Sequence, residues 1–278
     1  MAGQARGGNE AGIGAVTFVD HMRQDGLLVR WESRHHRKHQ NAAQAGGSTW
    51  WAPGDRDWWI GVLFAVGSVL FALGALPAYV NAVGTRWDSV TFFIGSLFFT
   101  SAAFLTYREA VDAAPEAHSR NHRRFFVYQP RRIDWWACGI QLVGTLYFNV
   151  STGVAMGANL TAEAANRHVW RPDAVGSICF LVASLLAWFE VCHAWAAWRP
   201  RLWSWWITLL NLLGSIAFGV SAVAGYISPA TGALRNAERA NLGTFVGAVC
   251  FLAGALLLLP ERTETASGQV PAPGAPGH

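Results

Sequence analysis

The sequence is short of charge. Lysine, arginine, aspartate and glutamate make up 14% of its 278 residues, where soluble domains carry about 25%. Lysine is almost missing, with Lys38 standing alone. The shortage is uneven: charges gather in the first 57 residues and around 108–134, and long stretches elsewhere hold almost none. No Asp, Glu, Lys or Arg falls clearly in the middle of an apolar stretch. That argues against a proton-coupled transporter or ion pump, which normally keeps such a group within the membrane. Cysteine is scarce too. Cys138, Cys179, Cys192 and Cys250 lie in or beside apolar stretches, with no spacing suited to a disulfide framework or a zinc site. A cleavable leader is not expected, because the apolar run from Ala11 to Val19 is closed off by Glu10 and Asp20 and makes a poor leader core. The first long apolar run is expected to serve as an uncleaved anchor.

What is present is apolar: 52% of the residues are hydrophobic. A helix of about 20 apolar residues crosses a bilayer, since each residue rises about 1.5 Å through a core of about 30 Å. Six runs reach that length, at 58–80, 89–107, 135–157, 174–196, 204–226 and 241–260. The expectation is an all-α polytopic membrane protein with six transmembrane helices. Fifteen tryptophans support it. Trp58, Trp59, Trp87, Trp135, Trp136, Trp198, Trp203, Trp205 and Trp206 sit at run edges, where indole prefers the headgroup level.

Arginine and lysine set the direction. One side would hold Lys38, Arg56, Arg108, Arg120, Arg123, Arg124, Arg131, Arg132, Arg199, Arg201 and Arg262, eleven in all. The other would hold five: Arg86, Arg167, Arg171, Arg235 and Arg239. Both termini are therefore predicted cytoplasmic, in a bacterial inner membrane. The glycosylation sequon at Asn159-Leu160-Thr161 would face outward.

The runs repeat. The odd-numbered ones read PGDRDWWIGVLFAVGSVLF from Pro53, PRRIDWWACGIQLVGTLYF from Pro130 and PRLWSWWITLLNLLGSIAF from Pro200. Proline stands five residues before a Trp-Trp pair, and Asp57, Asp134 or Ser204 directly precedes that pair. Gly67, Gly144 and Gly214 follow, then Ser68, Thr145 and Ser215, and then Phe71, Phe148 and Phe218. The even-numbered runs carry Gly95, Gly176 and Gly247, each with phenylalanine four residues on, at Phe99, Phe180 and Phe251. Fourteen residues after each of these glycines comes a glutamate: Glu109, Glu190 or Glu261. Asp or Ser at the helix start is expected to cap free N–H groups. The glycines are expected to let helix backbones approach at mid-membrane, and the glutamates to stay hydrated at the cytoplasmic edge.

The pattern divides the chain into a basic, mostly disordered cytoplasmic tail (1–52), a first hairpin (53–110), a basic cytoplasmic loop (111–129), a second hairpin (130–191), a third hairpin (192–262) and a disordered tail (263–278). Three hairpins in one orientation predict a compact bundle with rough threefold pseudosymmetry. The signature F-x-x-G-S-x-x-F, clearest in FAVGSVLF (64–71) and FFIGSLFF (92–99), resembles the YrhK-like domain family of small bacterial membrane proteins, with the best match in 58–107. The later hairpins look like diverged copies, with Thr145 and Ala248 at the serine position. That resemblance implies an uncharacterised membrane domain and no particular activity.

Candidate chemistry is thin. Glu190 and His193 have the E-x-x-H spacing of di-iron bundles, but only one copy is present. Gln141, Asn149 and Asn211 are the polar residues deepest in the runs, and hydrogen bonding between helices is the favoured use for them. His35, His36 and His39 lie in a basic segment suited to anionic headgroups. No catalytic, cofactor-binding or metal-ligating residue and no cofactor is predicted. Partners are the lipid bilayer and a second copy or another membrane protein, with no nucleic acid. The preferred role is structural or interactive and non-enzymatic. The rivals are a small-solute transporter or channel, which Gln141 and Asn211 facing a hydrated cavity would favour and packing of Phe71, Phe148 and Phe218 at the centre would disfavour, and a membrane redox or metal protein using Glu190 and His193.

Overall fold

The computed structural model describes residues 11–13, 16–24, 27–32, 34, 48–113, 128–157, 160–193 and 197–263. His35, His36, His39, the basic loop 114–127, Asn159 and the tail 264–278 lie outside the described residues.

Within the tail expected to be mostly disordered, the backbone forms strands β1 (Ala11–Ile13), β2 (Val16–Gln24) and β3 (Leu27–Glu32), paired antiparallel in the order β1-β2-β3. The residue types suit these strands. Val16, Phe18, Val19, Val29 and Trp31 are strand-favouring residue types. Asp25-Gly26, the dipeptide of two-residue hairpins, stands between Gln24 and its partner Leu27.

The other named elements among the described residues are helices. The elements are α1 (Arg56–Gly74), α2 (Pro77–Val83), α3 (Thr85–Asp112), α4 (Ile133–Ala155), α5 (Ala162–Cys192), α6 (Trp203–Ala224) and α7 (Ala237–Thr263). Five of them, α1, α3, α5, α6 and α7, are long and apolar enough to cross a membrane, which fits a membrane protein. The expectation was six. Helix α4, with 23 residues, has the length, but Gln141, Thr145, Asn149, Ser151 and Thr152 lower its mean hydropathy.

Boundaries shift for identifiable reasons. The run 58–80 breaks after Gly74, because the residue before a proline is pushed out of the helical region; Leu76, before Pro77, is extended at φ −86° and ψ 121°. Helix α5 begins at Ala162, twelve residues before the run read from the sequence, and includes a π-helical turn at Asn166–Trp170. The Asn166 amide clamps the connection after α6, donating to the Ile227 carbonyl at 2.6 Å and accepting from its N–H at 3.0 Å.

The six long helices close a ring in the order α1-α3-α4-α5-α6-α7, with α7 packed back on α1. Valines and leucines such as Val69, Leu146, Val182, Val220 and Leu256 point outward. Inside, each helix contributes one phenylalanine to a single cluster: Phe71, Phe99, Phe148, Phe180, Phe218 and Phe251.

Glycine explains how six rings meet there. Gly67 of α1 faces Gly95 of α3; a Cβ on Gly67 would come within 3.0 Å of both the Gly95 carbonyl oxygen and Phe99. Gly144 faces Gly176 in the same way, and Gly214 faces Gly247. In each pair the partner's phenylalanine lies over the glycine: Phe71 over Gly95, Phe148 over Gly176, Phe218 over Gly247. The serine or threonine after each first glycine turns back on its own helix, as Ser68 does to the Phe64 carbonyl at 2.8 Å and Thr145 to that of Leu142 at 2.7 Å. That satisfies the hydroxyl proton where water is absent.

Candidate functional site

The starts of α1, α4 and α6 and the ends of α3, α5 and α7 share one end of the bundle, the Trp face. Here the Trp-Trp pairs do two jobs. The second indole of each pair donates to the carbonyl of the proline six residues before it: Trp59 to Pro53 at 2.9 Å, Trp136 to Pro130 at 3.0 Å and Trp206 to Pro200 at 3.0 Å. The first indole turns inward where its bond is described, Trp58 donating to the Trp50 carbonyl at 2.9 Å and Trp205 to that of Ala197 at 2.7 Å. The two rings of each pair meet edge to face, with centroids 4.8–4.9 Å apart.

The acidic residues depart from their expected roles. Asp55, not Asp57, caps α1, accepting from the Asp57 N–H at 3.0 Å. The residues at the cap positions of α4 and α6, Arg132 and Leu202, make no side-chain cap. The helices start before the expected residues, so Asp57 and Asp134 fall in the first turn and are buried. Glu109, Glu190 and Glu261 are not hydrated at an edge either. They are only 4%, 3% and 5% exposed, because the converging helix ends enclose them.

Buried carboxylates need counter-charges, and arginines provide them for Asp134 and Glu261. Arg132 straddles Asp134, with Nε 3.0 Å from Oδ1 and Nη2 paired to Oδ2, and its Nη1 donates to Gln129 at 2.8 Å. Arg262, at the end of α7, reaches Asp55 at 2.9 Å and the Ser48 carbonyl at 2.8 Å, tying the last helix to the lead into the first. Arg34, far earlier in the chain, makes a two-pronged bond to Glu261 at 2.9 and 3.0 Å.

Between this charged layer and the phenylalanine cluster lies a cavity of about 80 Å³. Phe64, Phe99 and Phe251 contribute its aromatic wall, and Glu190 and Arg34 stand among the residues around it. Gln141 and Asn211 line it, as do Thr106 and Thr208. The sequence singled out the two amides as deep polar residues and favoured hydrogen bonds between helices for them. Asn149 behaves that way, donating to the Thr100 hydroxyl at 2.9 Å. Among the described residues, the side chains of Gln141 and Asn211 have no hydrogen-bond partner and face the cavity instead. The Asn211 side-chain oxygen, Oδ1, lies beside Gly254, where a Cβ would come within 2.9 Å of it.

His193 leaves α5 in the left-handed conformation, φ 54° and ψ 14°, and ends the helix. It therefore does not continue the helical turn on which an E-x-x-H pair with Glu190 would stack. Among the described residues no group of three or more His, Cys, Asp or Glu is placed to hold a metal, and the four cysteines are free. No family model, curated protein or solved structure matches the chain.

Proposed function

We propose that the chain is a six-span bacterial inner-membrane protein, made of three hairpins of one design with both termini cytoplasmic, whose role is structural or interactive, neither catalytic nor conductive. One observation carries this reading: the phenylalanines fill the centre as two stacked triangles. Phe71, Phe148 and Phe218 have centroids 6.0–6.4 Å apart, and Phe99, Phe180 and Phe251 have centroids 5.7–6.3 Å apart. Rungs of 5.2–5.3 Å join the triangles within each glycine-paired couple of helices. Aromatic pairs at these distances attract one another, and their packing at the centre supports a bundle without a conducting path. The matched glycine contacts support the three-hairpin reading, and the place of α4 between α3 and α5 supports its counting as a sixth span. The signature at 64–71 and 92–99 supports kinship with the YrhK-like proteins.

A conducting role would need a way past Phe99 and Phe251, which wall the cavity. The test is solute flux in liposomes containing the purified protein. Glycerol and rubidium permeabilities equal to those of protein-free liposomes are expected. Saturable flux through the unmodified protein would overturn the reading.

A further inference from the structure

We propose that the cavity beneath the phenylalanines binds a small organic cation bearing N–H donors, a guanidinium or primary ammonium group, and that Arg34 is a tethered competitor for it. The chemistry of the walls selects the ligand. Thr106 and Thr208 spend their protons on their own helix, donating to the carbonyls of Ala102 and Ser204 at 2.9 Å each. Toward the cavity those hydroxyls can therefore only accept. Gln141 and Asn211, both half-buried, add side-chain carbonyl oxygens that have no partner among the described residues and are free to accept from a ligand's N–H groups. The faces of aromatic rings such as Phe99 and Phe251 attract cations.

Arg34 already shows that this end of the bundle accepts a guanidinium. Its two-pronged bond to Glu261 at 2.9 and 3.0 Å is the planar geometry that a carboxylate offers such a group. The space left, about 80 Å³, exceeds the roughly 10–15 Å³ that one water needs on the same measure. That leaves room for a small polar group such as guanidinium. The proposal is independent of whether the protein has a structural role.

The test uses the full-length protein in detergent and follows its melting by tryptophan fluorescence with millimolar guanidinium chloride, methylammonium chloride, urea and sodium chloride. Arg34→Ala is expected to melt lower than wild type and to be restored saturably by guanidinium, and more weakly by methylammonium. Urea, which is uncharged, and sodium chloride at equal ionic strength are expected to do nothing. Removing a tethered competitor should lower the half-saturating guanidinium concentration relative to wild type. Adding Gln141→Leu or Asn211→Leu should abolish the response. If Arg34→Ala does not fold, Arg34→Gln, which keeps an amide and loses the charge, carries the same test. Guanidinium acting no better than sodium chloride, or equally well after either leucine substitution, overturns the proposal.

Discussion

Asp134 is fully buried and shares its charge with Arg132 two residues earlier. Such a pair is weak evidence of net stabilisation, because desolvation offsets most of the attraction, but breaking it strands a charge. Arg132→Ala is therefore expected to destabilise the protein by about 3–5 kcal/mol, measured as reversible unfolding in detergent. The double substitution Arg132→Leu with Asp134→Leu should recover most of the loss. The identities in this layer were legible in the sequence, since Asp57, Asp134 and the three glutamates keep fixed offsets. Their burial was not. Whether a carboxylate at a helix end stays wet depends on how many other ends crowd around it, and here six converge. The capping role moved from Asp57 to Asp55 because α1 begins at Arg56, and Asp55 has no counterpart at the start of α4 or α6.

The glycines decide how closely neighbouring helices approach. A methyl group on Gly214 would come within 3.0 Å of the Gly247 carbonyl, a contact that must open the helix pair. Gly219, one and a half turns further along the same helix, has nothing within 4 Å of its added Cβ. Gly214→Ala is expected to destabilise by about 1–3 kcal/mol through overpacking. Gly219→Ala is expected to be neutral or to stabilise by up to about 1 kcal/mol, since alanine is the better helix former. Thermal melting of the two variants side by side checks both. At this scale the sequence read well. Hydropathy located all six long helices, and the glycine–phenylalanine offset of four marked the contact. Two boundaries escaped it. Apolar residues continue on both sides of Leu76-Pro77, so hydropathy does not register the break. The first turns of α5 carry Arg167, Arg171 and Asp173, which hide a helix from any search for apolar runs.

Across the whole molecule, six helices form a ring around the phenylalanine cluster, and Arg262 ties the last helix to Asp55 ahead of the first. Sequence offsets indicated threefold pseudosymmetry but not the stacked triangles, because an offset fixes a residue's position along a helix and not which neighbours its ring will meet. The cavity was half legible. Gln141 and Asn211 stood out as deep amides, yet nothing in their spacing showed that they would face a void walled by Phe99 and Phe251, or that Arg34 would stand beside it. The account depends most on α4, the polar helix, crossing the membrane with the others. Single cysteines in a variant lacking Cys138, Cys179, Cys192 and Cys250 test this through labelling of sealed vesicles with a membrane-impermeant maleimide. Cysteine at Tyr128, before α4, and at Trp198, before α6, should label from one side, and cysteine at Leu160, after α4, and at Ser228, after α6, from the other. If positions 128 and 160 label from the same side, α4 does not span and the six-helix account is wrong.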